Sequence, residues 1–473
     1  MKNSKLEKLL FIFIAILPIL DIFSFTFRNV FQTSISPSTF VRPIIPIIAV
    51  IVIFFKNKLK MKMILVSSIY GLYGIVHLIL YNTQISGSSY GTVLGELQYI
   101  VNYSFMILNL FIYLYLFKIS EKANELKKYV WIASMIYIIS IGIAILTGTS
   151  SHTYIEEIGE KGWFESGNSV CTILVLSLCI LLPMLKDKTL TWKFPRKRIL
   201  VGLVLTIVGI GIFLTMIVGT RTGLLGFIIV MIFYILCETF FYLKKKIPAK
   251  ILMTGSCLLL ITVIIGGLFV SNELLQRRKY LDNQDSSIID SSTGEPSHVT
   301  GDILKLKEQI EEGKLDENYM PKANQKAILG LYQYANQMKL PLTERRIQQF
   351  IYHINLVQEQ EEPGLLLFGN GFLTNYPELT LEMEIPAFLF NFGIIGFLLY
   401  FGPFLCIFIF AIQEGIKYKE KIDTEYIMLC LGCFLSFILS FLAGYTFFNS
   451  SSMMLIIVLN TLLYRKINNF TTN

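Results

Sequence analysis

An arginine stands in a glycine-flanked motif, GTRTG (219–223), between two long apolar blocks. A guanidinium is planar and donates paired hydrogen bonds to phosphate oxygens, and glycine permits a tight turn with close approach of the backbone to a ligand. Arg221 is therefore a candidate phosphate-binding residue at the outer membrane surface. The alternative is an arginine that anchors a helical hairpin by extending its charge to the lipid headgroups.

A second pair of arginines, Arg345 and Arg346, lies near the start of a predicted helix over residues 343–362. Apolar residues recur in this segment at helical spacing and form one stripe, so the helix is expected to lie on the membrane surface or to pack on the helical bundle. The stripe consists of Ile347, Phe350, Ile351, Ile354 and Val357. At about 100° per residue, Arg346 and His353 fall on nearly the same side, at the edge of the stripe, whereas Arg345 points to solvent. Arg346 is thus the preferred candidate to face a site, and a solvated helix start is the alternative.

Two carboxylates, Glu382 and Glu384, precede Pro386 where the chain returns to an apolar block. Residues two apart do not share a helix face, so at most one of the two points inward. A desolvated carboxylate near the membrane surface can act as a general base toward a hydroxyl. The alternatives are interfacial solvation or a favourable charge at a helix N-terminus.

Other motifs give weaker indications of chemistry. The sequence FGNGF (368–372) predicts a tight turn, either near a ligand or in a plain loop. His77 and His152 are isolated and are expected to be structural. Cys430 and Cys433 form a CxxC without a second pair of ligands and are expected to pack within a helix. No Walker motif, acidic DxD-like motif or metal cluster is visible in the sequence, so neither a metal nor a cofactor is expected.

The elements that must position these residues are membrane spans. The chain has 473 residues, of which 54% are hydrophobic and 16% are charged, against about 25% charged residues in soluble proteins. The apolar residues come in blocks of about 20, the length that crosses a hydrocarbon core of ~30 Å. An ordinary soluble enzyme is therefore excluded. The net charge of +8 is carried by short Lys/Arg tracts between the blocks, which indicates the positive-inside pattern rather than a nucleic-acid partner.

About twelve membrane spans are predicted, with both termini in the cytosol. In this orientation every Lys/Arg-rich tract falls on the cytosolic side. The predicted spans lie near residues 8–27, 36–55, 63–81, 96–117, 129–147, 166–185, 199–218, 222–243, 251–270, 384–412, 425–445 and 449–464.

One connection, between spans 9 and 10, is long and carries more acidic than basic residues. It is expected to be a large extracytoplasmic loop that is partly helical, with helices over 302–312 and 343–362 and a mobile polar stretch over 282–298. The predicted domains are 1–270 (transmembrane helices 1–9), 271–381 (the large loop) and 382–473 (transmembrane helices 10–12). The predicted fold class is an all-α polytopic membrane protein.

In the order of its elements the chain resembles the O-antigen ligase and Wzy-type polysaccharide polymerase superfamily of bacterial envelope biosynthesis. The shared features are about twelve spans, an arginine in a tight outward turn, and one large extracytoplasmic loop that carries arginines. The motifs that carry the resemblance are KGWFESGNS (161–169), GTRTG (219–223), ERRIQQF (344–350), LFGNGF (367–372) and NFGIIGF (391–397). The resemblance implies a GT-C-like bundle and a metal-independent, inverting glycosyltransferase.

By this resemblance the donor is an undecaprenyl-diphosphate-linked glycan, and the other partners are a glycan acceptor, the lipid bilayer and further envelope polysaccharide assembly proteins. Arg221 and Arg346, or Arg345, would hold the diphosphate and stabilise the leaving group. Ligases carry a His-Asn near the start of the following span, where this chain has Glu382-Met383-Glu384. A carboxylate there is more like some polymerases, so Glu382 or Glu384 is the expected base, with His353 as a substitute.

The resulting expectation is a polymerase or ligase in the bacterial plasma membrane, with a polymerase favoured. A lipid-linked glycan transporter and a non-catalytic membrane scaffold are the alternatives from other classes. A transporter typically has internal repeats and broken helices with charged residues at mid-membrane. Here the charges are predicted at the outer surface and no repeat is visible, which favours the enzyme.

Overall fold

The structure is a computed structural model that describes most of the chain. The described residues are 4–33, 36–56, 60–84, 92–118, 120–154, 157–190, 197–244, 257, 260–261, 297–315, 320–341, 345–360, 363–372, 376, 378–442, 444 and 446–472. The predicted ninth span (251–270) and the polar stretch over 282–298 lie almost entirely outside these residues.

The described chain is helical, with one short antiparallel hairpin. Its long elements, in chain order, are α1 (Ser4–Asn29), α2 (Pro37–Lys56), α3 (Lys60–Gln84), α4 (Val93–Phe117), α5 (Glu125–Leu146), β1 (Ser151–His152), β2 (Glu160–Gly162), α6 (Gly167–Leu190), α7 (Lys197–Ile212), α8 (Arg221–Leu243), α9 (Gly301–Glu311), α10 (Lys322–Met338), α11 (Arg345–Glu359), α12 (Pro363–Phe368), α13 (Glu384–Tyr400), α14 (Gly402–Lys417), α15 (Thr424–Leu442) and α16 (Ser450–Thr472). Short helical turns occupy Glu121–Asn124, Phe213–Ile217 and Lys419–Lys421.

Nine of the described helices are long and apolar enough to cross a membrane, and α13 and α14 add a tenth span if this pair, bent by 45°, is counted as one. These ten correspond to the predicted spans 1–8, 10 and 11. The prediction of an all-α, multi-pass membrane protein is therefore confirmed. The count of twelve stays a prediction, because span 9 is not described and α16, at the place of span 12, is not among the nine.

The chain forms two compact units. The first comprises Met1–Lys56, Met106–Gln276 and Phe404–Asn473, and the second comprises Asn57–Phe105 and Arg277–Pro403. In the first unit α6 is the central helix and contacts α5, α7, α8, α15 and α16. The apolar, membrane-spanning part of α6 is 89% buried, as expected for a helix that is apolar on all sides.

The second unit combines α3, the first part of α4 and α13 with the described helices of the long connection. Helices are present at both predicted positions in that connection, as α9 and α11, and α10 is a further helix that packs between them. Their shared core includes Val299, Ile303, Leu306, Ile328, Leu331, Tyr352, Leu356 and Leu379. This core fixes α11, which carries three of the candidate site residues, Arg345, Arg346 and His353.

The apolar stripe of α11 lies only partly on its outer face, because Ile351 packs against the core of the unit and Phe350 against Phe390. Ile347 and Ile354 are 42% and 36% exposed, whereas the buried face includes Gln348 and Gln349. Both glutamine amides turn inward because they donate to backbone carbonyls, Gln348 to His298 at 3.1 Å and Gln349 to Glu378 at 3.2 Å. The placement of this helix on the membrane surface or on the bundle stays a prediction.

Candidate active site

Arg221 lies in the first unit, at the first residue of α8. The preceding Thr220 caps this helix: its hydroxyl accepts a hydrogen bond from the Gly223 N–H at 3.1 Å and lies 3.1 Å from the Cys171 thiol. Gly219 has a φ of 68°, so the chain reverses here with almost no loop, as the motif predicts. The Arg221 side chain is exposed and has no carboxylate partner among the described residues. A cation at the positive end of a helix dipole is a favourable arrangement for binding an anion.

Arg346 lies in the second unit, in the first turn of α11. Its Nε is 3.1 Å from Oε2 of Glu382, and the two side chains are 36% and 35% exposed. The Glu382 N–H donates to Oε1 of Gln349 at 3.2 Å, so α11 also holds the backbone of its carboxylate partner. Arg345 is exposed. The helical geometry thus places Arg346, rather than Arg345, beside a candidate base.

His353 lies seven residues after Arg346, about two helical turns further along α11. It is buried. Its Nδ1 donates to the Gln349 carbonyl at 2.9 Å, and its ring packs against Phe390 at a centroid distance of 5.4 Å. Burial lowers the pKa of His353 to about 4. The imidazole is therefore neutral near pH 7, with its lone pair on Nε2, and it is a weak base.

Glu382 and Glu384 have opposite environments. Glu384 is the first residue of α13 and is fully buried, with the Tyr103 hydroxyl within electrostatic range. Glu382 precedes the helix and is partly open to solvent. One carboxylate of the two therefore points inward, which agrees with the limit set by their spacing. Only Glu382 is both exposed and next to an arginine.

Two sequence motifs, FGNGF (368–372) and NFGIIGF (391–397), meet at a break in α13. Gly393 leaves the helical conformation with φ 69° and ψ −178°, which frees carbonyls of the preceding turn. The FGNGF turn fills this break: the Asn370 N–H donates to Phe390 O and the Gly371 N–H donates to Asn391 O, both at 2.9 Å. The fit requires glycine, since a Cβ on Gly393 would lie 2.4 Å from the backbone of Leu367.

His77, although isolated in the sequence, is paired in the structure. Its Nε2 lies 2.7 Å from Oε1 of Glu96 and its Nδ1 lies 2.5 Å from the Phe368 carbonyl. The other Glu96 oxygen accepts from the Phe372 N–H at 2.8 Å, and both side chains of the pair are fully buried. The pair therefore holds both ends of the FGNGF turn. The available signal was a histidine and a carboxylate inside predicted spans, where ionisable residues indicate function by default.

Other charged residues of the predicted spans have polar partners within the first unit. Asp21 pairs with Arg42 and also accepts hydrogen bonds from the hydroxyls of Tyr137 and Ser451. Glu238 accepts from the Thr424 hydroxyl at 2.8 Å. These contacts explain how charged residues are accommodated in an apolar bundle. They do not by themselves indicate a catalytic role.

The two aromatic residues of the segment KGWFESGNS (161–169) differ in burial. Phe164 is buried and packs against Tyr137 at a centroid distance of 4.9 Å, whereas the indole N–H of Trp163 donates to the Thr149 hydroxyl at 2.9 Å. His152 lies in the adjacent hairpin, 3.3 Å from Glu160. Cys430 and Cys433 are free thiols within α15. Among the described residues, no three His, Cys, Asp or Glu side chains converge as metal ligands would.

The described chain is thus a multi-pass helical membrane protein, in which three arginines pair with carboxylates: Arg28 with Glu165, Arg42 with Asp21, and Arg346 with Glu382. The chain is a member of the family of O-antigen ligase like membrane proteins, whose family model matches residues 3–469. No curated protein and no solved structure matches it. The family match confirms the resemblance of the sequence motifs and indicates a role in envelope glycan biosynthesis with a lipid-linked glycan as substrate.

Proposed function

We propose that the protein is a glycosyltransferase that polymerises undecaprenyl-diphosphate-linked oligosaccharide at the outer face of the bacterial plasma membrane, with ligation of finished glycan as the closest alternative. The observation that carries this proposal is the Arg346–Glu382 pair, with 3.1 Å between Nε and Oε2. It sets a phosphate-binding group directly beside a carboxylate base, and both remain partly open to solvent.

The first step of the proposed reaction is an exchange of partners at Arg346. A phosphate oxygen of the donor takes the place of Glu382 on the guanidinium, which binds phosphate with paired hydrogen bonds. Glu382 loses its counter-charge as the phosphate binds, and the carboxylate becomes a better proton acceptor. Donor binding and activation of the base are thereby coupled.

The second step is glycosyl transfer. The acceptor hydroxyl gives its proton to Glu382 while its oxygen attacks the anomeric carbon from the face opposite the diphosphate. The bond from that carbon to the diphosphate oxygen breaks, and the electron pair leaves with the diphosphate, whose charge is met by arginine. Attack from the opposite face inverts the anomeric configuration, and no metal ion is needed because arginine supplies the positive charge.

Each remaining candidate has a defined place in this proposal. Arg221 binds phosphate oxygens through an exposed guanidinium at a helix N-terminus. Glu384 is the alternative base, and it needs a local opening because it is fully buried. His353 is not the preferred base, because it is buried and its Nδ1 is bonded to the Gln349 carbonyl. Arg345 is assigned no contact with substrate.

The broken helix α13 does not favour a transporter. In transporters the freed backbone groups of broken helices bind ions or substrate. Here the carbonyls of Phe390, Asn391 and Phe392 accept hydrogen bonds from Asn370, Gly371 and the Tyr73 hydroxyl, the last at 2.7 Å. The break is satisfied by the protein itself.

The proposed function is tested by deletion of the gene and gel analysis of both surface glycan and lipid-linked glycan. A polymerase predicts that the deletion strain holds single repeat units, and that the wild-type gene restores polymer whereas Arg346→Ala at equal protein level does not. Full-length polymer that accumulates on the lipid carrier would assign a ligase. Normal chain length together with normal attachment would refute the glycosyltransferase and return the transporter and the scaffold to consideration.

A further inference from the structure

Asn370, the central residue of the FGNGF turn, is one of several described residues with a buried side-chain polar atom that has no hydrogen-bond partner. The residue is 3% exposed, yet no donor within the described part of the chain reaches its side-chain oxygen Oδ1. Buried polar groups are paired in the great majority of cases, and an unsatisfied buried acceptor costs about 1–3 kcal/mol. A leucine would fill the same volume without this cost, so packing alone does not account for the amide.

The backbone of Asn370 is held from both sides. Its own N–H donates to Phe390 O, and the neighbouring Gly371 N–H donates to Asn391 O, both at 2.9 Å. Gly369 has a φ of 93°, and a Cβ there would lie 2.2 Å from Asn391 O. The position of the amide is therefore fixed by the broken helix rather than by partners of the side chain.

The FGNGF turn is held by a buried pair of ionisable residues, His77 and Glu96. His77 belongs to the candidate span Met63–Thr83, about 9 Å from the end of that span at 1.5 Å per residue. The Phe368 carbonyl can only accept, so Nδ1 of His77 carries a hydrogen, and Nε2 lies 2.7 Å from Oε1 of Glu96. This buried pair bonds both ends of one turn. Such an arrangement indicates that the position of the turn is important for function.

The turn is also next to the candidate active site. Phe390, whose carbonyl receives the Asn370 N–H, packs against both His353 and Phe350 of α11, at centroid distances of 5.4 and 6.0 Å. Arg346 begins the same helix. One residue, Phe390, therefore separates Asn370 from the helix that carries the phosphate-binding arginine.

We propose that Asn370 forms a carbohydrate subsite, in which its side-chain oxygen accepts a hydrogen bond from a hydroxyl of the glycan. This inference rests on the proposed function and names a binding residue within it. A neutral amide oxygen repels an anion but accepts from a neutral hydroxyl, and the adjacent NH₂ donates to a second hydroxyl. Neighbouring hydroxyls of a sugar ring offer this combination of donor and acceptor.

The test compares Asn370→Leu with Tyr81→Phe. Tyr81 is a matched control because its hydroxyl is also buried without a partner in the described part of the chain, and its ring lies 2.3 Å from a Cβ placed on Gly371. Each substitution removes an unpaired polar atom, so the thermal midpoint of either purified protein is expected to stay equal or rise. Only Asn370→Leu is expected to reduce glycan product in the complemented deletion strain, by roughly tenfold for one lost hydrogen bond.

Three results would overturn the subsite. A fall in the midpoint of Asn370→Leu would show that the amide is satisfied structurally, by water or by the protein. Normal product from Asn370→Leu would show that no substrate hydroxyl depends on it, and an equal loss from Tyr81→Phe would show a general effect of the turn. A deletion strain with normal glycan would refute the proposed function as well, whereas polymer that is lost on deletion and fully restored by Asn370→Leu would refute the subsite alone.

Discussion

The two arginines expected to bind phosphate are held in contrasting ways. Arg221 is exposed at the N-terminus of α8 and has no carboxylate partner among the described residues, whereas Arg346 is partly enclosed and bound to Glu382. An anion reaches Arg221 without displacing a carboxylate, and the helix dipole adds to the attraction. An anion that binds Nε of Arg346 takes the place of Glu382 there. The difference suggests that Arg221 serves to bind, whereas Arg346 couples binding to the release of a base.

The largest expected effect is the loss of either arginine. Arg221→Ala and Arg346→Ala are each expected to lower glycan product in the complemented deletion strain by at least ~10²-fold, the usual effect of removing one donor that stabilises a developing anion. Arg345→Ala is the matched control, because this neighbouring arginine is exposed and is expected to keep nearly full product. If Arg345→Ala and Arg346→Ala lost equal amounts of product, both arginines would act only through general surface charge.

The next effect separates the carboxylates. Glu382→Gln keeps the shape of the side chain but cannot take a proton, so turnover is expected to fall by roughly 10²–10⁴-fold. The apparent affinity for the lipid-linked donor is expected to rise, because Arg346 no longer has to give up a charged partner. Initial rates measured over a range of donor concentrations separate the two effects. Retained turnover in Glu382→Gln with a loss in Glu384→Gln would move the base to Glu384.

Helix α11, which begins with Arg345 and Arg346, is expected to lose local stability at acidic pH. The pKa of His353 is about 4 in the folded protein and ~6.5 when unfolded, so the unfolded state binds more protons between these values. Local stability is therefore complete above pH 6.5 and falls as the pH drops toward 4, by on the order of 3 kcal/mol. Hydrogen-exchange protection of residues 345–359, measured across this range, is expected to decline in the wild type and to stay level in His353→Gln.

The first unit supplies the control for this pH effect. His152 has a partly exposed side chain, 41% accessible, in the β1–β2 hairpin, so His152→Gln is expected to leave the acid dependence of α11 unchanged. An acid loss of protection that persists in His353→Gln would assign it to other groups.

The smallest effect concerns the turn that presents Arg221. Thr220→Val removes the hydroxyl that caps α8 and accepts from Gly223, which is expected to cost about 1 kcal/mol of stability and to reduce product only a few-fold. Thermal unfolding of the purified protein checks the first value. A loss of product as large as that from Arg221→Ala would mean that the cap, and not the guanidinium, is the essential part.

These comparisons also show what local sequence patterns can predict. The tight turn at 219–223 follows from two glycines between apolar blocks, and the choice of Arg346 over Arg345 follows from helical spacing. Both depend on residues within one or two helical turns of each other. The same reasoning predicted the apolar stripe of α11 but left its direction open, because period alone does not tell which medium a stripe faces.

The contacts that patterns could not predict are long-range. His77 and Glu96 lie on separate spans, and their partners at Phe368 and Phe372 are more than 270 positions away. The junction between the FGNGF turn and the break at Gly393 consists of backbone hydrogen bonds, which leave no side-chain signature beyond the glycines. Such features require the fold before they can be seen.

The most direct test of the central claim is a reaction of the purified protein, reconstituted in lipid nanodiscs, with isolated undecaprenyl-diphosphate-linked repeat units. No nucleotide is supplied and a metal chelator is present. The account predicts longer lipid-linked glycan and released undecaprenyl diphosphate from the wild type and from Arg345→Ala, and neither product from Arg346→Ala. No product from the wild type, or equal product from Arg346→Ala, would contradict a transferase that depends on the Arg346–Glu382 pair.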